Sequence, residues 1–324
     1  MNIELSIGTG RAPRASNEKT MQRRRQLAPA HSITGNERRR IDPNRGMIKV
    51  IERNLDMLVS SFLYRRFHRI WNPYSWLIER RFTLAETKVT PNGWPLGLAP
   101  LRVLLITDIH AGIFLNPQTL TGVVRALMEL KPDLVAVGGD LVTGHSNEAK
   151  PILGALAPLS AAPLGAWFCY GNHDYFGGAP EMIQRDLASI GIRTLRNESV
   201  QLQHGNSSFV LGGIDDLIMG KPDWQHLFAQ HGEPHLLLAH NPDHFYQAVV
   251  HNVPLTLAGH THGGQIRFPN GPPLIRQSRY CLDEGIYAFD SSLLIVSRGL
   301  GSILLPWRWG ADPEAILIEI VPAL

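Results

Sequence analysis

LRVLLITDIH, residues 101–110, decides how this chain folds. Its first six residues are a short, mostly apolar run of the kind that forms a buried strand, and the run breaks into Thr107, Asp108, Ile109 and His110. Comparable runs follow at 134–137, 166–170, 209–211, 235–239, 255–258, 293–296 and 315–321, each bounded by Gly, Pro, Asn or Asp. Helical stretches at 117–130 and 180–190 separate several of them, which predicts an α/β layered domain. Ligands of such domains bind in the loops just past the carboxyl ends of the strands. That is where the unusual residues of this sequence lie.

Five runs end in residues that ligate metals. The first ends in Asp108-Ile109-His110, the second in Gly138-Gly139-Asp140 and the third in Gly171-Asn172-His173-Asp174. The fifth ends at His240-Asn241-Pro242-Asp243, and the sixth in Gly259-His260-Thr261-His262. Taken singly, an Asp after a strand is a turn or a helix cap, and a lone His is a satisfied polar residue. Five independent strand ends carrying Asp, His, Asn and His together are not explained that way. Imidazole nitrogen combined with carboxylate oxygen suits borderline divalent ions such as Mn, Fe, Co and Zn. Two such ions at roughly 3.5–4 Å clamp the attacking and leaving oxygens of a displacement at phosphorus. A pair that close needs an anion between them, and a carboxylate at a strand end supplies it.

In this order, Asp108-x-His110, Gly139-Asp140, Gly171–Asp174, His240 and Gly259-His260-x-His262 resemble the calcineurin-like metallophosphoesterase family, most closely its bacterial membrane-associated phosphodiesterases. The resemblance covers about residues 98–320. It implies a four-layer α/β/β/α sandwich of two mixed sheets, with metal-binding loops at the strand C-terminal ends. It implies that Asp108, His110 and His262 hold one divalent ion and that Asn172, His240 and His260 hold a second. Asp140 would bridge the two, beside a bridging hydroxide that attacks in line. His173 would be a non-ligand histidine that protonates the leaving oxygen or steadies the transition state. Asp174 would orient His173 or its loop, and reads equally as a turn-forming Asp.

Other residues carry weaker expectations. Asp215 and Asp216 follow the strand at 209–211 and read as cap or turn residues within reach of the site mouth. Arg298 and His145 are the substrate-side candidates: a guanidinium there would grip phosphate, with a structural salt bridge as the alternative, and His145 reads equally as a surface histidine. His226, His231, His235, His244 and His251 fit no ligand spacing. Two cysteines, Cys169 and Cys281, provide no disulfide framework, and Cys169 lies inside an apolar run as an inert core thiol.

Charge divides the 324 residues. Residues 1–90 hold 18 Lys+Arg against 8 Asp+Glu, and residues 91–324 hold 13 against 20. Residues 1–46, with Arg23–Arg25 and Arg38–Arg40, read as a disordered basic leader without the apolar region of a secretory signal, and Met47 offers an alternative start. Residues 47–97 form an amphipathic N-terminal segment, and 98–324 the metallophosphoesterase domain. Within the segment, Ile51, Leu55, Leu58 and Phe62 recur at helical spacing among arginines, followed by Trp71 and Trp76. That pattern fits an anchor on an anionic membrane surface through residues 47–82, and equally a helix packed on the catalytic body. No window is apolar enough to span a membrane. The expected location is cytoplasmic, with peripheral attachment to the inner membrane as an option.

These readings converge on a two-metal hydrolase of phosphodiester or pyrophosphate bonds. With a membrane anchor, a lipid-linked substrate such as UDP-diacylglucosamine becomes attractive. Two alternatives stand beside it. One is a metal-binding scaffold without catalysis, which the retention of His173 and every ligand disfavours. The other is a nuclease using the basic leader, which the net negative catalytic body disfavours, so nucleic acid is not the expected partner.

Overall fold

Strand residues of period two need apolar partners on both faces when a sheet is covered on both sides. The run at Leu101–Ile106 shows this directly: Leu101, Val103 and Leu105 enter one apolar cluster, while Leu104 and Ile106 enter another. In the computed structural model, which describes residues 6–9, 73–112, 114–177, 180–268 and 271–322, this two-sided burial generates a four-layer sandwich.

The described strands are β1 (Ser6–Thr9), β2 (Thr83–Val89), β3 (Leu101–Ile106), β4 (Leu134–Val137), β5 (Ala166–Cys169), β6 (Ile192–Leu195) and β7 (Glu198–His204). They continue with β8 (Ser207–Gly213), β9 (Leu236–Leu238), β10 (Leu255–Ala258), β11 (Gly285–Phe289), β12 (Ser292–Val296) and β13 (Glu314–Ile320). One sheet has the order β1-β2-β13-β3-β4-β5-β6, and the other β11-β12-β10-β9-β8-β7. The first is parallel except for the β13–β3 pair, and the second is parallel except at its two edge pairs, β11–β12 and β7–β8. Between the sheets, Leu105, Ala136, Trp167 and Ile318 meet Leu211, Leu238, Leu257 and Ile295. Burying each large aliphatic side chain contributes about 1.5–3 kcal/mol, so this layer is a stiff base for the loops above it.

Helices cover the outer faces. Against the first sheet lie α1 (Pro73–Arg81), α2 (Pro117–Met128), α3 (Leu153–Leu156) and α4 (Pro180–Ala188). Against the second lie α5 (Trp224–Phe228) and α6 (Phe245–Val250). The start of α2 is written in the sequence: Asn116 caps it by accepting the Gln118 N–H at 2.8 Å, and Pro117 occupies the first turn. Its buried residues Leu120, Val123, Val124 and Leu127 follow the helical period.

The eight apolar runs all become strands, three with the expected bounds and the others with ends shifted by one or two residues. Five further strands lie outside these runs: β1 places Ser6–Thr9, within the leader expected to be disordered, parallel to β2, and the other four carry more polar sequences. β2, for example, exposes Glu86 and Lys88 and buries Leu84 and Val89. Because β2 pairs with β13 over its whole length, the sheet already includes Thr83–Val89, ahead of the expected boundary at residue 98. The anchor expectation falls mostly on residues 47–72, outside the described residues. Its described end, α1, packs inward: Tyr74, Leu77 and Ile78 are buried in the first sheet's outer core, and Trp76 faces solvent beside Arg80. Among the described residues no helix is long and apolar enough to cross a membrane.

Candidate metal centre

The parallel strands β3, β4, β5, β9 and β10 point the same way, so their following loops converge across both sheets. Backbone bonds lace them together: Asp108 N–H donates to Gly139 O at 2.9 Å, His110 N–H to Asp140 O at 3.0 Å and Gly259 N–H to His240 O at 3.0 Å. The His260 N–H donates to both Asp108 carboxylate oxygens, at 3.0 and 3.1 Å.

This convergence demands unusual backbone. Asp108, His110, Asp140, His260 and His262 all have φ between 47° and 72°, a left-handed conformation that costs a non-glycine residue about 1–3 kcal/mol. Strain held by a rigid scaffold at five clustered positions marks a working site. Gly139, at φ 88°, is required on a second ground as well: a Cβ there would stand 2.7 Å from both Gly171 N and His240 Nδ1.

Three buried donor groups result, each with its ligand atoms within 4.8 Å of one another: Asp108, His110 and His262; Asp140, His240 and His260; and His110, Asp140 and His173. Asp140 Oδ2 lies 3.1 Å from His240 Nε2 and 3.6 Å from His110 Nε2, so one carboxylate oxygen faces both histidine sets. Within the sets, His110 Nε2 stands 3.1 Å from His262 Nε2, and His260 Nδ1 stands 3.3 Å from His240 Nε2. Asn172 is fully buried, and neither its Oδ1 nor its Nδ2 has a hydrogen-bond partner. A buried orphaned amide is costly unless it meets a ligand, and imidazole nitrogens aimed at one another are the donor geometry of a cation site. These residues therefore fit divalent ions.

Electrostatics agree. Burial pushes the Asp108 carboxyl up to about 6, with Asp140 adding to the rise and His240 opposing it. Burial disfavours a charged His240, yet the adjoining Asp140 carboxylate overrides it and holds the imidazolium up to about 10. Burial also resists a charged Asp140, but His240 and His173 keep its carboxyl well below the usual range. His110 and His262 are held well below the ordinary imidazole value, chiefly by burial, next by His173 and Arg308 respectively. Acids and bases crowded at this density with opposed shifts are typical of a functional site.

His173 lies beside the donor groups with its ring edge-on to His110. Its N–H donates to Asp140 Oδ1 at 2.8 Å, and its Nδ1 faces the Thr143 carbonyl at 2.5 Å, which fixes the proton on Nδ1. The Asp174 carboxylate accepts the N–H groups of Asp140, Leu141 and Gly171 at 2.8–2.9 Å and that of Val142 at 3.4 Å, organising the Asp140 loop.

The remaining candidates make the following contacts. Arg298 is engaged by Glu314 at 2.5 Å, Glu284 at 3.8 Å and Thr83 Oγ1 at 3.0 Å, the salt-bridge alternative. His145 is exposed and caps a short turn by accepting the Asn147 N–H. Asp215 gathers Tyr175, Arg196 and Lys221 N–H, while Asp216 accepts the N–H groups of Ile218 and Met219. His235, His244 and His251 bond or stack outside the donor groups. One residue escaped sequence reading: Arg308, fully buried, donates to His262 Nδ1 at 2.8 Å and to the carbonyls of Gly301 and Ala311. It falls outside every strand-end motif, so no local signal marks it.

Against known proteins, the calcineurin-like phosphoesterase profile matches residues 101–264, the span that carries all five loops. The chain belongs to the calcineurin-like phosphoesterase family. The phosphoesterase is 31% identical over 236 residues to the uncharacterized metallophosphoesterase YkuE of Bacillus subtilis, covering 70% of this chain and 81% of that one. It is 35% identical over 234 residues to phosphodiesterase YaeI of Escherichia coli, covering 69% and 83%. A dimetal phosphatase from Danio rerio aligns with a TM-score of 0.39 at 15% identity, over 62% of this chain and 88% of that one. The protein is a metal-dependent phosphoester hydrolase, and the scaffold alternative is set aside.

Proposed function

We propose that this phosphoesterase hydrolyses phosphodiester or pyrophosphate bonds with two divalent ions, drawn from Mn, Fe, Zn or Co. Asp108, His110 and His262 hold one ion, Asn172, His240 and His260 the other, and Asp140 joins them. The observation that carries this reading is the position of Asp140 Oδ2 between His110 and His240. Bound ions supply Lewis acidity at the phosphoryl oxygens and lower the pKa of the attacking water.

The chain's own residues do the rest. Asp174 and the left-handed loops hold the donors in place before substrate arrives, so little reorganisation remains for the reaction. His173 stands with Nδ1–H fixed on Thr143, so its second proton is carried on Nε2. As the water oxygen bonds to phosphorus and the leaving P–O bond breaks, that proton passes to the departing oxygen. The proposed substrate is lipid-linked, with UDP-diacylglucosamine the compound to try. Attachment to an anionic membrane then rests on residues 47–72, since the described part of the expected anchor turns its apolar side inward.

His173→Ala tests the acid role. The variant should lose far more rate on a diester with an alkyl leaving group than on one releasing nitrophenolate, which needs no proton. Equal losses on both would remove His173 as the acid and leave it a phosphate donor.

A further inference from the structure

Six large apolar side chains, Phe268, Leu274, Ile275, Leu305, Trp307 and Trp309, are 45–70% exposed, and they come from two short stretches of chain. The stretches are stitched together. Ile266 bridges Trp309, Arg267 N–H donates to Trp309 O at 2.8 Å, and Trp309 N–H donates to Gln265 O at 3.0 Å. Arg267 also bridges Pro273, Leu274 N–H donates to Ile266 O at 3.0 Å, and the Phe268 and Trp309 rings meet edge to face at 5.7 Å.

Two buried arginines brace these loops from behind. Arg267 donates to Gly271 O through Nε and Nη2 and pairs with Glu284 at 2.6 Å. Arg308 ties Gly301, Ala311 and His262. The apolar side chains are thus displayed on a braced frame. Isolated exposed hydrophobes need no explanation, but a contiguous group of this size marks an interaction surface.

Charge identifies the partner. Residues 91–324 are net negative, with 13 Lys+Arg against 20 Asp+Glu, yet 244–282 and 291–311 contain no Asp or Glu at all. Those two stretches carry Arg267, Arg276, Arg279, Arg298 and Arg308, with Arg276 and Arg279 exposed. Arg267 and Arg298 are paired with Glu284 and Glu314, and Arg308 is buried, so the basic groups displayed beside the apolar side chains are Arg276, 3.6 Å from Asp283, and Arg279. Exposed tryptophan and aliphatic side chains beside such arginines suit an anionic bilayer, where indoles sit at headgroup depth. The lip also lies next to α1, which bonds Leu300 O through the Tyr74 hydroxyl and pairs Arg81 with Asp312 at 2.7 Å.

We propose that residues 266–268, 271–276 and 303–309 form a lip that docks this enzyme on an anionic lipid bilayer, with Trp307 and Trp309 inserted at the interface. The lip begins four residues past His262, so docking brings the metal centre to the membrane surface. This adds a second contact to the membrane reading above and does not depend on the metal chemistry.

The test is sedimentation of the full chain with vesicles of equal parts phosphatidylglycerol and phosphatidylcholine, against phosphatidylcholine alone. Trp307→Ser/Trp309→Ser and Leu274→Ser/Ile275→Ser should each weaken binding to the anionic vesicles at least about tenfold. Brominated lipid should quench wild-type tryptophan emission, and the quenching contributed by Trp307 and Trp309 should disappear in the first variant while it is kept in the second at saturating vesicle. Turnover of a soluble chromogenic diester should be retained in both, which separates failure of docking from failure of the catalytic reading. Three results would overturn the proposal: no wild-type binding, full binding by both variants, or a change of oligomeric mass in the variants that reveals a protein interface.

Discussion

The Asp174 carboxylate accepts the backbone N–H of Asp140 at 2.9 Å, so the candidate bridging residue is positioned by a buried acid from the neighbouring strand end. The bond is returned one residue earlier, where His173 N–H donates to Asp140 Oδ1 at 2.8 Å. The β4 and β5 loops are therefore one unit, and the placement of Asp140 depends on both.

Asp174→Ala leaves three short N–H bonds and one longer one without their acceptor inside a buried loop. Each unsatisfied buried donor costs about 1–3 kcal/mol, partly relieved by water, so a loss of about 3–5 kcal/mol is expected. Thermal unfolding should show a fall in Tm of roughly 10 °C or more. A shift within a degree or two would mean that the loop does not rely on Asp174.

Arg308→Met removes the donor to His262 Nδ1 and the brace on Gly301. Since three or more acceptors are buried around it, the variant should lose about 3–5 kcal/mol of stability, and Arg308→Lys should recover part of it. Metal affinity, read by equilibrium dialysis, should fall with Arg308→Lys even where the fold survives. Unchanged affinity would confine Arg308 to packing.

In the metal-free protein, stability should peak near neutral pH and decline above it. His240, raised to about 10 from 6.5, contributes stability that is present below its unfolded value and lost as pH climbs toward its folded one. Asp174, pushed up to about 8 by burial and by Asp140, acts in the same direction, because its forced ionisation opposes folding. His110 and His262, held low, have the opposite sign and withdraw stability as pH falls through the ordinary imidazole range. Tm of the metal-free protein should therefore drop between about pH 7 and 9, and saturating Mn should flatten that drop by taking the place of the His240 proton. A rising metal-free Tm over the same interval would contradict the assigned charges.

How much of this could be read from residue order depends on range. Leu101–Ile106 followed by Asp108 and His110 is a local pattern, as are the other four strand ends, so the core strands and the donor residues were legible together. β2, β6, β7 and β11 were not, because strands at or near a sheet edge are half polar and their apolar positions are too sparse to stand out. Arg298 read equally as a phosphate grip or a structural salt bridge, and its partner Glu314, sixteen residues on, is met only in the fold. Arg308 meets His262, forty-six residues away, only in the folded chain, and left-handed φ at Asp108 or His262 has no signature beyond the residue type. Tertiary partnership, unlike strand patterning, is absent from local sequence.

The central claim, two ions joined by Asp140, is tested most directly by metal content together with turnover. Wild type and Asp140→Asn would be stripped, reloaded with Mn and assayed for bound metal and for hydrolysis of a chromogenic phosphodiester beside a phosphomonoester. The account predicts two ions per wild-type chain with metal-dependent diester cleavage. It predicts that Asp140→Asn folds, binds fewer ions and loses at least about a thousandfold in rate. Full turnover by Asp140→Asn, or a wild-type enzyme saturated by a single ion, would contradict it.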